Sequence, residues 1–254
     1  MNSTYKLLEE IGSGQFGIVY KGLNTKTQEE VAIKIECKQK TKLLKREANI
    51  YLLLAKEDGF PRLKWYGSTD TVYYMVFDLL GLSLADLKKR SDEIPLIIVK
   101  RLAKKMVRLV EKVHNYQLLH RDIKPDNFLF DKEDYDKIYL IDFGLAKSYM
   151  NTSNVHVKED VISNCIGTQE FVSLNVHNRK LPSRKDDLES VVYILYYLIL
   201  PQKKWIKSED EEDIKLFKQS LNEKILSKIL EYVRSLSYFD TPNYNELIEL
   251  IETI

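Results

Sequence analysis

Cysteine is scarce in this 254-residue chain: there are two, Cys37 and Cys165, far apart and outside any CxxC spacing. That excludes a disulfide framework, and His114, His120, His156 and His177 make no zinc pattern with them. The expectation is two reduced thiols in a cytoplasmic or nuclear protein. Long apolar runs are missing too. Val191 to Leu200, the longest, is closed by Pro201 and is too short to cross a bilayer as a helix. Met1 to Glu10 has no apolar core of signal-peptide length. Neither sign of charge dominates: 39 basic and 38 acidic side chains leave +1, so no global field favours nucleic acid or a membrane surface. Repeats and low-complexity segments are absent. What is there is a chain 44% hydrophobic and 30% charged, ordinary for a globular protein and long enough to bury a core.

Hydrophobic periodicity divides the chain. Tyr5 to Ile11, Ile18 to Gly22 and Glu30 to Glu36 alternate as strands, with a glycine cluster after the first and a turn at Asn24 to Gln28. Lys42 to Ala55 switches to helical spacing and is stopped by Asp58, Gly59 and Pro61. Leu63 to Tyr66 and Val72 to Leu79 read as two more strands. From Ser83 the pattern is mostly helical: Ile97 to His114, Asp187 to Leu200, Asn222 to Leu236 and Tyr244 to Ile254. Two short strand-like runs interrupt it, Asn127 to Phe130 and Lys137 to Ile141. The acidic run Ser208 to Asp213 reads as a solvated loop or a helix start. The fold class expected is α+β: one domain, 1–254, with a small antiparallel-sheet lobe carrying one helix (1–80) and a larger helical lobe (81–254).

Four motifs carry chemistry. Gly12 to Gly17 reads GSGQFG, and the strand that follows favours a hairpin whose backbone N–H groups approach phosphates, rather than a dinucleotide turn leading into a helix. In Val31-Ala32-Ile33-Lys34 the alternation puts Lys34 on the face of small Ala32. A buried ammonium needs an anion; the α- and β-phosphates of ATP serve, with Glu47 on the inserted helix as protein partner. His120-Arg121-Asp122-Ile123-Lys124-Pro125-Asp126-Asn127 is the most specific element. Asp122 can accept a substrate hydroxyl proton, Lys124 can balance charge on a moving phosphoryl group, and Asn127 offers a neutral oxygen to Mg²⁺. Asp142-Phe143-Gly144 follows an apolar strand, with Asp142 as a second metal ligand.

These motifs, in this order, resemble the eukaryotic protein kinases, and within them the casein kinase I family. The resemblance covers essentially the whole chain and extends to Leu79 to Leu84 (LLGLSL), His120 to Leu129, Ile141 to Lys147 (IDFGLAK), Asp186 to Ser190 (DDLES), Tyr232 to Leu236 and Pro242 to Tyr244. It implies a bilobal kinase fold that transfers the γ-phosphate of ATP to Ser/Thr hydroxyls of protein substrates, with Mg²⁺ or Mn²⁺, as a monomer needing neither nucleic acid nor membrane. Lys124 carries the Ser/Thr reading. The nucleotide site it implies comprises Ile11, Gly12, Gly14, Gly17, Val19, Ala32, Lys34, Phe77, Asp78, Leu80 and Asp86. Adenine would meet backbone groups at Asp78 and Leu80, with Phe77 behind it and Asp86 on the ribose. Asp187 would hold the backbone of the His120 loop.

The departures concern substrate. Ser173-Leu174-Asn175 stands where most kinases have Ala-Pro-Glu, similar to casein kinase I. Glu170 stands where that family has Arg, in Gly167-Thr168-Gln169-Glu170, and would repel a phosphate and favour basic or neutral substrates. The stretch Lys204 to Asn222 is short, and no regulatory tail follows the last helix, so tail-based autoinhibition is not expected and constitutive activity is. The rival readings are a pseudokinase or scaffold, and a kinase of small molecules. Lys34, Glu47, Asp122, Asn127 and Asp142 are all present, which speaks against the first.

Overall fold

The computed structural model describes residues 4–14, 17–39, 43–205, 208–221 and 224–254. The order begins β1 (Tyr5–Gly14), β2 (Gly17–Asn24), β3 (Glu30–Cys37), α1 (Leu43–Leu53), β4 (Leu63–Ser68) and β5 (Val72–Asp78). It continues with α2 (Leu84–Arg90), α3 (Leu96–Asn115), β6 (Leu118–Leu119), β7 (Phe128–Phe130), β8 (Ile138–Leu140) and β9 (Lys147–Ser148). The helices α4 (Leu174–His177), α5 (Arg184–Ile199), α6 (Glu211–Ser220), α7 (Lys224–Ser235) and α8 (Tyr244–Glu252) complete it. Two compact units result: Met1–Leu82 with Leu129–Gly144, and Ser83–Phe128 with Leu145–Ile254. Leu129–Gly144 thus clusters with the sheet rather than with the helical segments on either side of it in sequence.

In the first unit five strands pair antiparallel in the order β1-β2-β3-β5-β4. Alternation along β3 sends Val31 and Ile33 to one face, where they pack with Tyr74, Val76, Tyr5 and Leu7. The opposite face carries Ala32, Lys34 and Glu36, set across from Phe77, Met75 and Tyr73. Helix α1 covers that face with Leu44, Glu47, Ile50 and Tyr51 buried. Glu36, 2% exposed, accepts the backbone N–H of Leu43 (3.2 Å) and of Leu44 (2.6 Å). A strand carboxylate therefore caps the first turn of α1, where donors lack helical partners and the dipole favours an anion. The β7–β8 ribbon is joined to this unit by Leu140 N–H to Gly59 O (2.9 Å) and Gly81 N–H to Phe130 O (2.9 Å).

The second unit is built on α5, whose buried residues run right round the helix from Leu188 to Leu198, as a central helix requires. Helix α3 offers it a stripe of Val99, Leu102, Ala103, Met106, Val110 and Val113. Helices α7 and α8 bring Leu226, Ile229, Leu230, Val233, Leu247 and Ile251.

The fold class and most elements agree with the sequence pattern, within a few residues. Two differences have local causes, and one alternative left open by the sequence is resolved. Asn127 closes a 3-10 turn, Pro125–Asn127, instead of opening a strand. The acidic run is the start of α6, with the Asp210 side chain accepting from Glu212 and Asp213 N–H. Helix α2 was not separately read; Ser83 and Asp86 form its capping box. Lys42 and Asn222, the expected starts of two helices, and Gln15 and Phe16 of the glycine motif lie outside the described residues. Cys37 and Cys165 are free thiols. Among the described residues no helix is long and apolar enough to cross a membrane.

Candidate active site

In the first unit Lys34, 9% exposed, places Nζ 2.8 Å from both Glu47 carboxylate oxygens and 2.8 Å from Asp142 Oδ1. Burial alone would lower the lysine pKa; the two carboxylates outweigh it and hold it above the ordinary value, so the ammonium stays charged. Burial pushes Glu47 up, and the Asp142 charge beside it adds to that. Asp142 sits at φ +67°, a conformation that costs a residue with a Cβ and turns its carboxylate toward Lys34. Its N–H donates to the Tyr51 hydroxyl (2.9 Å). The neighbouring Phe143 is buried edge-on against Tyr51, with ring centroids 5.2 Å apart, and Tyr51 packs on Phe77 at 4.6 Å. Tyr51, which no sequence motif contains, thus locks Asp142 from α1.

The other expected nucleotide residues of this unit are spread along its sheet. Ile11 is exposed on β1. Gly12 pairs with Val19, Val19 also with Lys34, and Ala32 with Phe77. A Cβ on Gly12 or Gly14 would meet nothing within 4 Å, whereas one on Gly17 (φ +134°) would fall 2.2 Å from Ile35 O. Gly17 is therefore needed for packing β2 against β3, while Gly12 and Gly14 leave open space. Asp78 pairs with Lys64 at 2.8 Å. Among the described residues Leu80 makes no backbone hydrogen bond, so its N–H and C=O face no protein partner.

In the second unit Asp122, 6% exposed, is the hub. Lys124 Nζ lies 2.8 Å from Asp122 Oδ2. Asn127 donates its side-chain amide to Asp122 O (2.8 Å) and Oδ2 (3.3 Å), which leaves the amide oxygen outside that pair. Thr168, to which no role was assigned from sequence, completes the group. Its hydroxyl donates to Asp122 Oδ1 (2.7 Å) and accepts from Lys124 Nζ (3.1 Å), and its N–H donates to Asp122 Oδ1 (3.0 Å). Gly167 permits the approach: at φ +105°, a Cβ there would lie 2.5 Å from Arg121 O.

Beneath this group, Asp187 accepts the N–H of His120 (2.8 Å) and of Arg121 (2.9 Å), and bonds His114 Nε2 (3.1 Å). Burial would raise its pKa, but His114 and these N–H groups outweigh it and hold the carboxyl down. It fixes Arg121 at φ +66°. Asp86 is occupied as the third residue of the α2 capping box, accepting Ser83 N–H (3.1 Å) and Oγ–H (2.8 Å).

The loop after Thr168 is clamped by Lys218 of α6, whose Nζ donates to Gln169 O (2.6 Å), Val172 O (2.6 Å) and His177 Nε2 (2.9 Å). Burial pushes this lysine down to about 7. Arg179 grips Glu211 with two bonds of 2.6 Å and holds its carboxyl down to about 2.

A buried ammonium shared by two carboxylates, and an aspartate joined to a lysine and an amide, are the equipment of a phosphotransferase. The family model described as Protein kinase domain matches residues 5–254, and the chain belongs to that family. It is a protein kinase: its reaction is phosphoryl transfer to proteins, and such domains use ATP with a divalent metal.

Proposed function

We propose that this kinase phosphorylates Ser and Thr hydroxyls in the manner of the casein kinase I family. The observation that carries the acceptor preference is the contact of Lys124 and Thr168 with both oxygens of Asp122. A carboxylate braced on both oxygens is held in one orientation beside the Lys124 ammonium, which suits an acceptor oxygen close to the peptide backbone. Asp122 accepts the hydroxyl proton and orients the oxygen for attack. Lys124 offsets charge developing on the phosphoryl group.

Lys34, aligned by Glu47, takes the nucleotide phosphates. The chemistry of the metal donors fits Mg²⁺: a carboxylate at Asp142 and an amide oxygen at Asn127 are hard oxygen ligands. When bound, the metal supplies charge neutralisation at the phosphates. Adenine lies against Ala32 and Phe77 and meets backbone groups at Asp78 and Leu80. The casein kinase I type rests on the motifs quoted above, Ser173-Leu174-Asn175 among them.

The test is phosphoamino-acid analysis of proteins labelled by the purified chain, with Asp122→Asn as control. Phosphoserine and phosphothreonine, lost in the control, are expected. Phosphotyrosine as the main product, or labelling unchanged by Asp122→Asn, would overturn the assignment.

A further inference from the structure

We propose that Glu170 makes this kinase select protein substrates bearing Lys or Arg next to the phosphorylated residue. The proposal rests on Asp122 receiving the substrate hydroxyl, as proposed above.

Glu170 sits on a stretch of backbone fixed at three points. Two residues before it, the Thr168 side chain is bonded to Asp122 and Lys124. On either side of it, Gln169 O and Val172 O are held by the Lys218 ammonium. Immediately after it, the Phe171 ring stacks on Trp205 at 5.4 Å and meets Tyr197 edge-on at 5.7 Å. Two residues of chain span at most about 7 Å, so the Glu170 backbone is within one side-chain length of the group that holds Asp122.

Its charge reaches the Lys218 ammonium through space and acts there against the effect of burial. Among the described residues Glu170 has neither an ion pair nor a hydrogen bond, although it is only partly exposed. Four cations of the same unit have other partners. Lys124 belongs to Asp122, Arg179 to Glu211 and Arg234 to Glu189, and Lys218 spends its three N–H groups on Gln169, Val172 and His177. A carboxylate on a tethered backbone beside Asp122, with no ion pair or hydrogen bond among the described residues, attracts a cation from the substrate and repels an acidic or phosphorylated residue.

A second observation places more negative charge on the same side. Asp126 is exposed and stands four residues after Asp122. Among the described residues it has no partner. Its charge, with that of Asp86, reaches the Tyr197 hydroxyl, whose pKa is raised first by burial and then by these carboxylates. The partly exposed Tyr197 ring, which meets Phe171 edge-on, thus feels the charge of Asp126 and Asp86. An aromatic face with carboxylates beside it suits the guanidinium of Arg or the ammonium of Lys.

The experiment is a positional-scanning peptide library phosphorylated by the purified chain, repeated with Glu170→Gln and at raised salt. The expected result is enrichment of Lys and Arg at one or more positions flanking the acceptor. The best basic peptide should exceed its alanine counterpart by about tenfold in kcat/KM, mainly through KM. Glu170→Gln should remove most of that preference and leave kcat on the alanine peptide unchanged, and salt should weaken the preference. Robust transfer with a flat profile, or with enrichment of Asp, Glu or phosphoserine, would overturn the specificity alone. So would a basic preference that survives Glu170→Gln. Transfer no greater than that of Asp122→Asn would overturn the kinase assignment and this inference with it.

Discussion

Replacing Thr168 with alanine isolates one part of the acceptor machinery. The side chain contributes a 2.7 Å bond to Asp122 Oδ1 and a 3.1 Å bond from Lys124 Nζ, while the Thr168 N–H bond to Asp122 and the direct Lys124–Asp122 contact survive its loss. Two hydrogen bonds disappear, of which the one to the ionised carboxylate is worth about 1.5–3 kcal/mol. If that bond serves to aim Asp122, the loss falls on the transition state, and kcat should drop about 10- to 150-fold. KM for ATP should not change, because Lys34, Glu47 and Asp142 are untouched. Thr168→Ser restores the hydroxyl and should recover most of the rate. Steady-state kinetics on one peptide, with thermal unfolding of each variant as control, give the answer. A natively stable Thr168→Ala enzyme with kcat within about twofold of wild type would refute the reasoning.

Three further outcomes are expected. Lys34→Met leaves the buried Glu47 beside the partly buried Asp142 without their cation, so the variant should lose about 3 kcal/mol and show no thermal shift with ATP; a stabilisation by ATP equal to that of wild type would contradict the role given to Lys34. Glu36→Ala uncaps α1, should cost about 1–2 kcal/mol, and should speed amide exchange at Leu43 and Leu44, read by mass spectrometry. Burial raises the Asp186 carboxyl from 3.8 to about 6, so the folded state holds this proton more tightly than the unfolded chain does. The stability it contributes is full below about pH 4 and declines by roughly 3 kcal/mol as pH rises to 6; urea midpoints should follow that slope, and Asp186→Asn should flatten it.

The parts of the site legible in the sequence are those whose partners lie within a few residues or in a fixed motif. Asp122, Lys124 and Asn127 share one loop, and Lys34 is marked by the small residue two places before it. Thr168 was not legible: it reaches Asp122 from 46 residues away, and a threonine in a loop carries no periodic signal. Tyr51 and Glu36 were hidden differently. Each reads as an ordinary member of an amphipathic pattern, and only the packing of α1 on β3 turns one into a clamp on Asp142 and the other into a cap. Of the glycines, the motif weights Gly12, Gly14 and Gly17 alike, yet only Gly17 is dictated by a backbone neighbour. Strand and helix identities were recovered because burial imposes periods of two and near 3.6; α2, at 7 residues, is too short to display one.

The two attachments of α1 to β3 have a consequence for regulation. Glu36 and Lys34 are alternate residues of one strand and hold the helix at its first turn and again at Glu47. Swinging the helix outward would strand two amides and a buried carboxylate in a single event. At about 1–2 kcal/mol for the amides and about 3 for the broken ion pair, the displaced form amounts to roughly one molecule in a thousand. A latch of that depth is closed by the strand that carries it. Any inhibitor that works by prying this helix loose must supply the difference from its own binding.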